Sequence, residues 1–221
     1  AKGQIFTMDS ETVINAYSIK NGRKIWSSEI TPKNESDDYI NGGLAYERNK
    51  IFATTGFGQV VALAENSGKV LWRQNIGIPM HGAPTAKNNR VFAITVTNKL
   101  YTLDAKTGAI LWTHSGIEET TNLLGSSSPT VDSDVVIASY SSGEFFALKV
   151  ETGQELWSYS LAGGQRNQGA TRLSSILGRP IIDRGIVFAG SNSGRFAAVN
   201  LRNGQRIWER EIGSIESPWI A

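Results

Sequence analysis

Apolar residues along this chain come in short runs of four to six, separated by Gly, Asn, Asp, Ser and Thr, and the runs recur in a fixed order. Alternating runs of that length between turn residues predict β-strands rather than helices. The order is fixed by one motif, Gly-x-x-(Ile/Leu)-Trp, which occurs as Gly22–Trp26, Gly68–Trp72, Gly108–Trp112, Gly153–Trp157 and Gly204–Trp208. Six residues before each Gly stands a small residue: Ala16, Ala62, Thr102, Ala147 and Ala198. The position after it is apolar or aromatic each time: Tyr17, Leu63, Leu103, Leu148 and Val199. Ten residues before each Gly comes a turn residue, Thr12, Gly58, Asn98, Gly143 or Gly194. Gly and Asn accept the left-handed backbone that a tight hairpin requires. Each unit therefore reads strand, turn, strand, turn, strand, and ends at the Trp.

An upstream strand completes the unit. Pro84, Pro129 and Pro180 each stand nine residues before the Ala of the following strand, and Leu44 takes that slot in the second unit. Pro has no N–H to give to a ladder, so it belongs at a strand's first residue or on an edge. A repeat of 40 to 51 residues, made of four short strands, is the signature of a β-propeller blade. The expected fold is all-β, with about five blades' worth of sequence in one propeller domain over 1–221. Blades are expected near 1–30, 41–76, 82–115, 126–160 and 178–212, with a final strand at 217–221. The first has three strands and lacks its innermost one. Two arrangements fit these ends. Residues 217–221 could close a five-bladed ring by pairing with the first blade, or the chain is a segment of a larger ring. The abrupt stop in mid-pattern favours the segment.

Five of the six Trp residues occupy the motif slot. Trp26, Trp72, Trp112, Trp157 and Trp208 are therefore read as structural, each largely buried between blades against the small residue of an adjacent strand. Trp219 follows Pro218 on the expected last strand and is read as lining the central channel or packing under it.

Composition narrows the chemistry. With 40% hydrophobic residues the chain can bury a substantial core, and no apolar run reaches the ~20 residues of a membrane span. The first residues show no signal segment. There is no Cys, which excludes disulfides, thiol nucleophiles and Cys-based zinc sites. The net charge is +2, with Lys and Arg scattered, so no basic patch for nucleic acid is present. The acidic run Glu35–Asp38 reads as a solvated loop. His81 and His114 have no second ligand at metal spacing. Ser126, Ser127 and Ser128 lie in no nucleophile elbow, and Gly56-Phe57-Gly58 reads as a hairpin turn rather than a dinucleotide loop. Asp104, Asp132 and Asp183 suit turns and strand ends. No catalytic constellation, cofactor site or metal site is expected.

The connections between blades, 31–40, 76–81, 115–125 and 161–177, carry more information. The last is long, and long loops on rigid scaffolds commonly bind. Leu123 and Leu124 on one, and Ser175, Ile176 and Leu177 on another, either tuck beneath their loops or form a docking surface. Both connections run from a fourth strand to a first strand, so they should open on the same face.

The repeat Ala-(Leu/Val)-x4-Gly-x2-(Leu/Ile)-Trp resembles the PQQ-like propeller repeat. Quinoprotein dehydrogenases carry that repeat in longer chains, often with a vicinal Cys pair, which is lacking here. Two further stretches are similar to the BamB family of outer-membrane protein assembly factors. One is Arg172-Leu173-Ser174 followed by Pro180–Phe188 and Val199–Ser214; the other is Leu123–Thr130. The resemblance implies an eight-bladed, non-catalytic periplasmic lipoprotein, associated with the outer membrane. It further implies docking by inter-blade loops onto the periplasmic domains of BamA, beside the other barrel-assembly subunits. The family's Leu-x-Leu-Arg run maps onto Thr121, Asn122, Leu123 and Leu124, and its acidic pair onto Ser175 and Leu177, so the charged part of that contact is replaced. Leu123, Leu124, Arg172, Ser175, Ile176 and Leu177 are the expected partner-binding residues. The family's lipid-bearing Cys is not in this sequence, as expected of a truncated or soluble form. A fragment of a quinone-dependent dehydrogenase, or a periplasmic propeller that binds cell-wall glycan, are the alternative readings.

Overall fold

The structure is a computed structural model that describes residues 3–33, 42–117, 126–162 and 175–220. Nineteen strands form five antiparallel sheets, with no helix among the described residues. The first sheet has three strands in the order β1 (Gln4–Met8), β2 (Val13–Ser18), β3 (Lys24–Glu29). The second runs β4 (Leu44–Glu47), β5 (Lys50–Thr54), β6 (Gln59–Ala64), β7 (Val70–Asn75). The third runs β8 (Thr85–Lys87), β9 (Arg90–Ile94), β10 (Lys99–Asp104), β11 (Ile110–Ser115). The fourth is β12 (Thr130–Asp132), β13 (Val135–Ser139), β14 (Glu144–Lys149), β15 (Glu155–Ser160). The fifth is β16 (Ile181–Asp183), β17 (Ile186–Gly190), β18 (Phe196–Asn200), β19 (Arg206–Arg210). Each sheet is an up-and-down meander, the form of a propeller blade. The chain divides into two compact units, Ala1–Thr95 with Tyr101–Leu111, and Val96–Leu100 with Trp112–Ala221.

The turn residues behave as their chemistry requires. Gly58, Gly143 and Gly194 have φ of 72°, 82° and 104°, Asn98 has 57°, and Thr12, a β-branched residue, is held at 57°. In the sheets of Ile14, Val61, Phe145 and Ala197 the small residue of the third strand pairs directly with the Trp: Ala16 with Trp26, Ala62 with Trp72, Ala147 with Trp157, Ala198 with Trp208. One step later the register slips in all four, so that Ile25, Leu71, Leu156 and Ile207 are the extra residues of a β-bulge. That assigns the motif's Ile/Leu slot. These side chains are 40–49% exposed on the outermost strand, where a bulge twists the edge away from further pairing.

Each core lies between two neighbouring sheets. In the first unit, Ile14 and Ile30 pack with Ile51, Ala53, Val61 and Leu63; Phe52, Val60 and Ala62 pack with Val91, Ala93 and Leu103. In the second unit, Ile137, Phe145 and Ala147 pack with Val187, Ala197 and Val199.

Each of four Trp rings joins its blade to the next. The indole of Trp26 lies on Gly68, Trp72 on Gly108, Trp112 on Gly153, and Trp157 on Gly204; a Cβ on any of these glycines would fall 2.5–2.7 Å from the ring. The indole N–H donates to the carbonyl three residues before the same Gly: Glu65 at 2.8 Å, Ala105 at 3.3 Å, Val150 at 3.0 Å and Leu201 at 2.8 Å. The Trp slots are thus equivalent, but two expectations change. The ring's partner in the neighbouring blade is the Gly of that blade's own motif, not a small residue of its strands. Only Trp157 is fully buried, at 8% exposure, while Trp26, Trp72, Trp112 and Trp208 are half-buried. The reason is position: the ring sits on the outermost strand, covered on one face and open at the rim. Trp208 packs on Phe188 and Phe196 of its own sheet.

The stretch 217–220 forms no strand. Ser217 Oγ accepts the Arg179 N–H at 2.9 Å, Pro218 cannot donate to a ladder, and Trp219 is 92% exposed. Trp219 therefore neither packs under a sheet nor is enclosed; with Ile181, Ile182 and Arg184 it borders an open cleft.

Candidate functional site

Of the expected binding residues, Leu123, Leu124 and Arg172 lie outside the described residues. The feet of the two connections that carry them are described, and both belong to the second unit. The first connection leaves β11 through His114, Gly116 and Ile117 and re-enters at Ser126–Ser128. The second leaves β15 through Leu161 and re-enters at Ser175–Arg179.

The returning feet touch. Ser127 Oγ donates to the Gly178 carbonyl at 3.1 Å, and Thr130 Oγ1 donates to the Pro180 carbonyl. Arg179 Nε donates to Thr130 Oγ1 at 3.1 Å. The second foot is then tied to hairpin turns of two blades: the Ile176 N–H donates to the Tyr140 carbonyl at 3.3 Å, and the Asn192 N–H to the Ser175 carbonyl at 3.1 Å. Residues 126–128 and 175–178, fifty positions apart in sequence, are thereby brought together.

Burial sorts the second foot. Ser175 and Ile176 are 0% and 1% exposed, and Ile176 packs into the core with Ile137, Phe145 and Val187. Burying Ile removes most of its apolar surface from water, which contributes about 1.5–3 kcal/mol. Ile176 therefore anchors the loop from beneath and offers no surface of its own. Leu177 is half-buried, and at the first foot Ile117 is 57% exposed. Exposed apolar surface at the feet thus rests on Ile117 and Leu177. Among the described residues, Ser126 Oγ and Ser175 Oγ are buried without a hydrogen-bond partner.

No charged pair lies on these feet. Arg179 is the one cation in the stretches 126–128 and 175–179, and burial lowers its pKa. His114 is also held below its ordinary value by burial, with Glu155 opposing, and its Nδ1 lies 2.8 Å from Tyr140 Oη. Burial pushes the Tyr140 hydroxyl well above the usual phenol range, so that group is a neutral hydrogen-bonding partner, not a base. His81, the other histidine, is likewise lowered by burial. Among the described residues no group of three or more His, Cys, Asp and Glu gathers to hold a metal ion.

Tyr140 and Asn98 were not singled out by sequence as site residues. A signal for them exists. Three residues before each hairpin turn residue the other blades carry Asp9, Thr55, Thr95 and Ser191, and Tyr140 alone is large and aromatic. Asn98 alone brings an amide to a slot otherwise filled by Gly or Thr.

The family model described as "Outer membrane protein assembly factor BamB" matches residues 10–221. The chain is 31% identical over 219 residues to outer membrane protein assembly factor BamB of Escherichia coli strain K12, covering 97% of this chain and 56% of that protein. It spans about half the length of the curated relatives it matches. Among solved structures, BamB from Moraxella catarrhalis superposes with a TM-score of 0.86 at 20% identity, over 98% of this chain and 64% of the other. Quinohemoprotein alcohol dehydrogenase from Comamonas testosteroni superposes with a TM-score of 0.72 at 17% identity, over 95% and 41%. At such identities the two structures show the fold alone.

Proposed function

The chain belongs to the family of the outer membrane protein assembly factor BamB, and from that membership we propose that it is a non-catalytic periplasmic scaffold. In this reading it binds the periplasmic domains of the barrel-assembly protein BamA through the connections 115–125 and 161–177, and so supports insertion of β-barrel proteins into the outer membrane. The observation that carries the reading is the junction of the two feet. Hydrogen bonds from Ser127 to Gly178 and from Ile176 to Tyr140 hold the feet of two connections of distant sequence together on the sheets, and loops set on a rigid scaffold commonly carry binding. Leu123, Leu124 and Leu177, together with Ile117, supply the apolar contact; Arg172 is its cation. A dehydrogenase fragment shares the fold and is the competing reading.

Two experiments separate them. Hydrogen exchange of the chain, with and without BamA periplasmic domains, should show protection concentrated in 115–128 and 163–178. Protection spread evenly, or confined to the outer strands, would remove the loops from the interface. For the competing reading, pyrroloquinoline quinone and Ca²⁺ added to the purified chain should give neither a bound chromophore nor alcohol-dependent dye reduction. Turnover above a protein-free control would establish the dehydrogenase.

A further inference from the structure

We infer that Asn98 and Tyr140 are positioning residues that fix the feet of the two connections, Gly116–Ile117 and Ile176, on one support for docking; this rests on the scaffold reading above. The repeat already supplies backbone ties. In four of the five blades the chain leaving the last strand is tied by backbone to the hairpin turn: the N–H groups of Ile30, Ile76, Gly116 and Leu161 donate to the carbonyls of Thr12, Gly58, Asn98 and Gly143. A second backbone bond recurs beside it, from Met80 to Thr55, from Ile176 to Tyr140 and from Ser214 to Ser191. These bonds need no particular side chain, and small residues suffice for them elsewhere in the repeat.

At Asn98 and Tyr140 the side chains add a further set. Asn98 is 3% exposed. Its Nδ2 donates to the Ile117 carbonyl at 2.6 Å, and its Oδ1 accepts from Ser141 N–H at 3.0 Å and Ser141 Oγ at 2.8 Å. One amide therefore ties the foot of the first connection to the hairpin turn of the next blade. That turn includes Tyr140, which is 1% exposed. Its hydroxyl meets His114 Nδ1 at 2.8 Å, its ring lies stacked 5.9 Å from His114 and directly on Gly116, and its carbonyl holds Ile176. Tyr140 thus grips the departing end of one connection with its side chain and the returning end of the other with its backbone. Fully satisfied buried networks of this kind fix one geometry. The two residues that break the repeat are thus two that tie these feet to hairpin turns.

The test returns each to a simpler residue in the purified chain. Asn98→Gly matches the Gly of three other blades and suits the φ of 57°; Tyr140→Phe keeps the ring and removes the hydroxyl. Each should leave the thermal midpoint within a few degrees, and weaken binding of BamA periplasmic domains roughly three- to tenfold. The double variant should lose less than the product of the two, since both act on one element. Amide exchange of Gly116 and Ile117 should quicken in Asn98→Gly with or without partner. If Asn98→Gly does not fold, Asn98→Asp keeps the acceptor for Ser141 and loses the donor to Ile117, and should give the same loss. Affinity unchanged in the folded variants, or exchange at 116–117 unchanged, overturns the inference while the scaffold reading stands. If the unaltered chain binds no BamA domain, the scaffold reading falls, and the docking role of Asn98 and Tyr140 falls with it.

Discussion

In four of the five motifs a single glycine does two jobs, turning the chain and seating a Trp ring, and Gly22, which seats none, lets the two be measured apart. Gly22 and Gly108 both have positive φ, at 67° and 78°, so Ala strains either one. A Cβ at Gly22 meets no heavy atom within 4 Å, whereas at Gly108 it would fall 2.7 Å from the Trp72 ring. Gly22→Ala should therefore cost about 1 kcal/mol, and Gly108→Ala roughly 2–4 kcal/mol through forced repacking. Chemical denaturation of both variants checks this, and equal losses would deny the ring-on-glycine joint. Trp112→Ala should cost roughly 3–5 kcal/mol, because it removes both the packing and the bond to Val150. The Trp slots and their equivalence were legible, since five copies in step leave no other register. Their half-burial was not, because the motif does not say which strand is outermost. The seat of each ring was equally hidden: a Gly in a turn motif reads as a turn residue until the neighbouring blade is in place.

At the scale of elements, the positive-φ turns follow directly from Gly and Asn in the hairpin slots, and four of the five blades have the four strands that the upstream Pro or Leu signals. The strand expected at 217–221 does not form over 217–220; Pro218 has no N–H for a ladder, and Trp219 stands exposed. Ile176 shows the limit of reading apolar loop residues. Sequence leaves tucking and docking equally open, and only the neighbouring core of Ile137 and Phe145 decides for tucking. The hairpin and loop foot around His114 carry a pH dependence. Burial lowers the pKa of His114 and of His81 in the folded state, below the ordinary 6.5. Neutral imidazole is then the folded form, so this stability is intact above about pH 6.5 and is lost as pH falls from there through the folded values. Thermal midpoints should decline between pH 7.5 and 5, and His114→Asn should flatten part of that decline. A midpoint unchanged over this range would contradict the burial of both imidazoles.

For the whole molecule, membership of the BamB family was readable because Arg172–Ser174, and the residues of Val199–Ser214 between and after its repeat positions Val199, Gly204, Ile207 and Trp208, are more than the blade repeat alone requires. The proposed docking surface was readable only as a pair of loops: the contacts at their feet, through Ser127, Tyr140 and Asn98, depend on positions 36 to 51 residues apart meeting in space. With Leu123 and Leu124 in place of the family's Leu and Arg, and Ser175 and Leu177 in place of its acids, the docking proposed above would rest on apolar burial. Affinity should then change by no more than about threefold between low and high salt, since screening acts on exposed charges. The measurement that bears most directly on this account is a titration of BamA periplasmic domains with the chain and with its Leu123→Asp, Leu124→Asp variant. Binding that is nearly salt-independent in the first and abolished in the second, with the variant's unfolding transition unaltered, is the expected result. Equal affinity in the folded variant would contradict it and leave the loops without a role in docking.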